Sequence, residues 1–162
     1  MKALIVCVSV SHGNTRKIAT AMLNEFDGEI VEPEQVDVDD LAGYDVIGFG
    51  SGIYGMAFHR RLFELIRRLP PANGQKAFVF ATRGGPKLTS LLYVPPMVRL
   101  LRSKGFDVIG TFTCLGFDTW LPLRVIGGLN RGHPNDNELD AAQSFAAGLA
   151  KQHRSRHARQ TR

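Results

Sequence analysis

Apolar and polar positions alternate between two periods along this chain. Lys2–Val8 is almost continuously apolar and β-branched, as a strand buried on both faces should be. Ile18, Met22 and Phe26 then recur at i, i+4 and i+8, the stripe of an amphipathic helix. A weak strand is expected at Glu29–Glu32, followed by an acidic connection through Asp37, Asp39 and Asp40. Val46–Gly50 is a second strong strand. Phe58, Leu62, Leu65, Ile66 and Leu69 mark one face of a helix that Pro70-Pro71 ends. Lys76–Thr82 is a further strand. Met97, Val98, Leu100 and Leu101 mark a helix opening near Pro95-Pro96 and closing at Lys104-Gly105. Asp107–Cys114 is the fifth strand. A last helix is expected over Asp136–Ala150, with Asn135 and Glu138 as its capping pair.

Strands separated by helices imply a parallel sheet with right-handed crossovers. The helix after the second strand is missing or reduced. Five such strands suit a doubly wound α/β sheet of order 2-1-3-4-5, with helices on both faces. The pattern shows neither an internal repeat nor a domain boundary, so residues 1–150 read as one domain. The 20-residue loop Gly116–Asn135 is long for a compact domain, and such loops are usually functional or disordered.

Composition changes this picture little. The chain has 162 residues, 44% of them apolar and 22% charged, which fits one soluble globular domain. No apolar run reaches the roughly 18–20 residues needed to span a bilayer. The apolar N-terminus ends at Ser9 without a cleavage pattern and reads as a strand, not as a leader. Cys7 and Cys114 fall in interior strands and are expected as buried free thiols, as in a cytoplasmic protein. The net charge of +5 belongs to the stretch 151–162, which carries Lys151, Arg154, Arg156, Arg159 and Arg162 and no acid. This basic tail is either a solvated end or a contact for nucleic acid or anionic lipid. It lacks the interleaved aromatic residues of a base-stacking surface.

In an open α/β sheet, ligands bind beyond the carboxyl ends of the strands, where strand order reverses. Three polar, glycine-bearing loops meet at that edge: Ser9–Thr15 after the first strand, Ser51–Gly55 after the third, and Thr82–Pro86 after the fourth. The first suits a phosphate. Its small hydroxyl residues donate, Gly13 lets the backbone turn, and the following helix offers free N–H groups. Helix capping by Ser11, Asn14 and Thr15 uses the same groups. Other phosphate motifs fail. There is no Gly-Lys-Ser/Thr ending, no three-glycine fingerprint, and no arginine closing a loop from Cys7. A phospho-receiver would need acids where Ser9 and Ser51 stand. The histidines and cysteines show no metal-ligand spacing, and no catalytic nucleophile–base arrangement is readable.

Lys2-Ala3-Leu4-Ile5-Val6 with Ser9 and Gly13-Asn14-Thr15 resembles the opening strand and hydroxyl-rich phosphate loop of the flavodoxin family. Tyr44–Ser51 followed by Ile53-Tyr54 is similar to the family's third strand and first flavin-flanking loop. Phe80–Gly85 resembles its fourth strand and second flavin loop. Gly116–Trp120, Gly127-Gly128 and Gly132-His133-Pro134 are similar to a subset of the family with a long final loop. The resemblance covers about residues 2–150 and implies a flavodoxin-like fold that binds FMN. It implies that Ser9, Ser11, His12, Gly13, Asn14 and Thr15 hold the phosphate. Ser51, Gly52, Ile53 and Tyr54 would pack one side of the isoalloxazine, with Tyr54 stacking. Thr82, Arg83, Gly84 and Gly85 would border its polar edge. Trp120 would stack there or anchor the final loop.

The phosphate loop has one more residue between Ser9 and Gly13 than the flavodoxin pattern, and the domain lacks the acidic bias of electron carriers. The expected function is electron transfer or small-molecule oxidoreduction, with a redox partner protein or a small-molecule electron acceptor. The alternative is a flavin-free binding or regulatory module on the same fold.

Overall fold

The computed structural model describes residues 1–119 and 128–160, apart from the side chains of 156–160. Trp120 and Gly127, singled out above, lie outside the described residues.

The chain alternates strand and helix as β1 (Lys2–Val8), α1 (Asn14–Leu23), β2 (Asp27–Val31), β3 (Val46–Tyr54), β4 (Ala57–Phe58), α2 (Arg60–Arg68), β5 (Lys76–Arg83), α3 (Ser90–Ser103), β6 (Asp107–Leu115) and α4 (Asp136–Gln160). Short 3-10 turns at Pro33–Gln35 and Asp39–Gly43 stand where a second crossover helix was missing from the sequence pattern. The five long strands run parallel in the order β2-β1-β3-β5-β6, which is the doubly wound 2-1-3-4-5 order expected.

The period of two along the strands sorts side chains onto two faces. Leu4, Val6, Ile47, Phe49 and Val79 pack against α2 and α3 through Leu62, Ile66, Met97 and Leu101. Ala3, Ile5, Cys7, Phe78 and Phe80 pack against α1 and α4 through Ile18, Met22, Ala142 and Ala146. Phe78 and Phe80 fill the space over Gly48 and Gly50, where a Cβ would lie 2.4 and 2.1 Å from their rings. Both cysteines are buried free thiols, and burial pushes each up to about 12.

Three elements differ from their expected form. β3 runs on to Tyr54 and turns back through β4, pairing Ile53 with Phe58 and Tyr54 with Ala57. Gly55 and Met56 form the two-residue turn, with φ of 54° and 67°, the left-handed pair that suits a tight hairpin. α3 begins at Ser90 rather than near Pro95-Pro96 and carries both prolines inside it. The missing N–H groups would have bonded the carbonyls of Leu91 and Leu92. Both residues are exposed, at 66% and 62%, and an unpaired carbonyl on an exposed helix face is open to water. Finally, α4 continues ten residues past Ala150, because neither proline nor a capping glycine follows and cations suit a helix C-terminus. Along that extension, His153 Nδ1 lies 3.2 Å from Lys76 Nζ at the start of β5, so the basic stretch begins at the sheet end opposite the strand carboxyl termini. Among the described residues, no helix is long and apolar enough to cross a membrane.

Candidate functional site

The carboxyl edge of the sheet holds an open cleft of about 390 Å3. Four connections build it: the β1–α1 loop, the β3–β4 hairpin, the β5–α3 connection and the segment after β6.

The β1–α1 loop turns on two left-handed residues, His12 (φ 54°) and Gly13 (φ 68°). Gly13 stands at the N-cap position and has no side chain to cap with, which leaves the end of α1 open to an anion. Ser9 supports the first turn from outside, its Oγ accepting from the Arg16 N–H at 3.2 Å. Asn14 and Thr15 are buried, and each ties the loop to another connection. Asn14 Nδ2 donates to the Phe117 carbonyl at 2.8 Å, and Thr15 Oγ1 lies 2.8 Å from Thr82 Oγ1. His12 Nε2 sits 2.8 Å from Thr119 Oγ1, with its ring 4.5 Å from that of Phe117. The loop after β1 and the segment after β6 are therefore held together on both sides of α1's first turn.

The hairpin carries Tyr54 over Gly52, where a Cβ would lie 2.9 Å from the Tyr54 hydroxyl. Ser51 is fully buried beneath it. Its hydroxyl donates to the Gly52 carbonyl at 2.7 Å and accepts from the His59 N–H at 2.9 Å. At the end of β5, Thr82 and Arg83 are buried at 4% and 8% exposure. An Arg83 terminal nitrogen donates to the Gly85 carbonyl. Gly84 packs directly against Asp118, whose Oδ2 would stand 2.2 Å from a Cβ at that position. The final segment is closed at its base by the Asp118–Leu129 backbone pair, with bonds of 2.9 and 2.7 Å. Glu138, on the first turn of α4, accepts from the Leu115 and Asn135 N–H groups at 3.1 and 2.8 Å, and its Oε2 lies 2.7 Å from His133 Nδ1. The Asn135–Glu138 capping pair forms, since Glu138 N–H also donates to Asn135 Oδ1 at 3.3 Å.

Of the residues singled out in the sequence, Ser11, Asn14, Thr15, Gly52, Ile53, Tyr54, Thr82, Arg83, Gly84 and Gly85 line this one cleft. Ser9, His12, Gly13 and Ser51 do not line it: Ser51 is buried, and the other three belong to the turn of the β1–α1 loop. The cleft also takes Met56, Thr89, Tyr93 and the run Gly116–Thr119, which the sequence reading did not assign to the site. Thr89 and Tyr93 were hidden because the prolines moved the expected start of α3 past them. Phe117, Asp118 and Thr119 fall in the long final loop, marked in the sequence by its length and by the resemblance of Gly116–Trp120 to a subset of the family. Among the described residues no group of His, Cys, Asp and Glu is placed to hold a metal.

Comparison with known proteins bears on these features. A family model described as a flavodoxin domain matches residues 5–87, which span β1 through the phosphate-type loop to the β5 connection. An uncharacterized protein of Methanocaldococcus jannaschii is 39% identical over 151 residues, covering 93% of this chain and 99% of its own length. Among solved structures, a flavodoxin from the domain Archaea superposes with a TM-score of 0.68 at 18% identity, over 94% of this chain and 98% of its own. Flavodoxin 2 from Bacillus cereus superposes with a TM-score of 0.67 at 23% identity, over 94% and 99%. The doubly wound order, the hydroxyl-bearing β1–α1 loop and these matches agree, and the chain belongs to the flavodoxin family.

Proposed function

We propose that this protein binds FMN in the carboxyl-edge cleft and works as a redox protein, exchanging electrons with a partner protein or a small-molecule acceptor. The observation that carries this reading is the convergence of a neutral-donor anion loop and two flanking loops on one cleft. The Thr15–Thr82 bond ties the anion loop to the end of β5, and the Asn14–Phe117 bond ties it to the segment after β6.

The residues present fit the cofactor. The cleft lies within the roughly 300–1,000 Å3 typical of small-molecule sites. Gly52, Gly84 and Gly116 let Tyr54, Asp118 and Asn14 close against the backbone that forms its walls. Three buried polar atoms of cleft-lining residues, Asn14 Oδ1, Arg83 Nε and the Tyr93 hydroxyl, have no hydrogen-bond partner among the described residues, as expected where a ligand completes the set. In this reading Ser11, Asn14 and Thr15, with the open end of α1, hold the phosphate. Gly13 supplies the turn. Tyr54 and the Gly52–Ile53 backbone cover one side of the ring, and the Thr82–Gly85 backbone borders its polar edge. Bound FMN supplies one- and two-electron chemistry that the side chains lack. The protein's part is to position it, limit water access and set the charge around it, with Arg83 contributing a nearly buried cation.

Purified protein titrated with FMN should quench flavin fluorescence saturably at a 1:1 ratio and give a shifted flavin visible spectrum. A flat titration would leave the flavin-free module as the better reading. Anaerobic mixing of the FMN-loaded protein with NADH or NADPH then separates the two redox roles, because rapid direct reduction counts against a pure carrier.

A further inference from the structure

Tyr54 has a second groove on its other side. This groove has a volume of about 590 Å3 and lies between the β1–α1 loop, the β3–β4 hairpin and the outer face of α2. Its apolar surface comes from Val10, Tyr54, Ala57 and Phe63. Val10 is 61% exposed, a large apolar side chain held in water at the groove's rim. Among the described residues, the charged ones of its wall are Arg60 and Arg67, and no carboxylate lines it. Arg60, Phe63 and Arg67 are spaced i, i+3 and i+7, so they share one face of α2. The Arg67 guanidinium carbon stands 5.8 Å from the Phe63 ring centroid. Arg60 Nε lies 3.4 Å from Glu64 Oε1, an exposed pair of the kind that exchanges readily with other anions.

From this arrangement we infer that the groove binds a flat apolar acid, an aromatic body carrying at least one carboxylate, against the outer face of Tyr54. A planar body fits between Val10, Tyr54 and Phe63, burying apolar surface that water now covers. The two guanidinium groups are weakly hydrated, planar donors suited to carboxylates and to aromatic faces. They sit two helical turns apart, roughly 10 Å along the axis, the span of a two- or three-ring aromatic. A neutral or cationic aromatic would gain no charge-assisted bond from either arginine. The inference deepens the proposed function by naming a substrate class. Its redox meaning rests on that reading, but the binding itself does not.

The test is a fluorescence titration with 9-anthracenecarboxylate, using uncharged 9-anthracenemethanol as the control, on the protein alone and on protein saturated with FMN. The carboxylate should bind saturably at 1:1 under both conditions. The double variant Arg60→Ala/Arg67→Ala should weaken it by at least about tenfold while leaving the alcohol's weaker binding within about twofold. FMN affinity should be the same in both proteins. Absence of saturable carboxylate binding, or equal affinity in the double variant, overturns the proposal. So does displacement of the carboxylate by FMN, which would place it in the cleft instead. Both arginines are solvent-facing, so a melting curve matching the parent's verifies that the variant is folded. A protein that binds the acid in this arginine-dependent way but takes no FMN keeps the groove and refutes the flavin reading alone.

Discussion

The hydroxyl oxygens of Thr15 and Thr82 lie 2.8 Å apart in the protein interior, joining the first turn of α1 to the carboxyl end of β5. One is on the anion loop and the other on the loop proposed to border the flavin, so a single buried bond sets the spacing between them.

Removing one of these hydroxyls leaves the other buried without a partner. Thr15→Val or Thr82→Val alone should therefore cost about 1–3 kcal/mol of stability. The double variant should cost clearly less than the sum of the two, because both polar groups are then gone. Denaturant melts of the four proteins measure this. Additive losses would mean that the two hydroxyls act independently.

Gly84 and Asp118 are packed too closely for a side chain at position 84. Gly84→Ala places a Cβ 2.2 Å from Asp118 Oδ2, so the segment Gly116–Thr119 must move away from the cleft. FMN affinity should fall by at least about tenfold, equivalent to about 1.4 kcal/mol, as read by fluorescence quenching. Unchanged affinity would show that the flavin does not use this wall.

Glu138 joins two segments through one carboxylate: the end of β6 and the run that holds His133 and the N-cap Asn135. Glu138→Ala removes all of these contacts and should cost about 1–3 kcal/mol, since the Leu115 and Asn135 N–H groups lose a charged acceptor. Glu138→Gln keeps one acceptor oxygen and should retain part of the stability. A thermal melt of the three proteins gives the order parent, Gln, Ala.

His59 connects pH to the start of α2. Burial, then Arg61 and Arg60, hold its imidazole below the ordinary value of 6.5. Its Nδ1 accepts from the Arg61 N–H at 3.3 Å, which requires the neutral ring. A depressed folded value means that the unfolded chain binds the proton first. The stability it contributes is present above pH 6.5 and is lost as pH falls below that value toward the folded midpoint. NMR titration should give a midpoint below 6.5. Arg60→Ala removes one of the neighbouring cations and should move that midpoint upward; a downward move would contradict this account.

The sequence carried the architecture because each layer leaves a periodic mark. Apolar runs at β1, β3 and β5 could only be strands covered on both faces, and the Ile18–Met22 and Leu62–Ile66 spacings could only be helix faces packed on them. Parallel strands with right-handed crossovers then leave few strand orders, and the observed one follows. The loops facing the cleft were legible as well, because glycine and hydroxyl residues cluster at the strand ends. Local signals failed where tertiary contacts outweigh them. Pro95 and Pro96 argue for a helix start, yet the buried packing of Tyr93 and Met97 holds one continuous helix through them. Ser51 reads as a loop hydroxyl like Ser11, but the hairpin buries it and uses it to support His59. The contributions of Phe117, Asp118 and Tyr93 to the cleft, and the meeting of Val10, Tyr54 and Phe63 in the second groove, bring together residues separate in the chain. No periodicity records such meetings, because they depend on how the finished sheet twists its loops toward one another, and only the folded packing decides them.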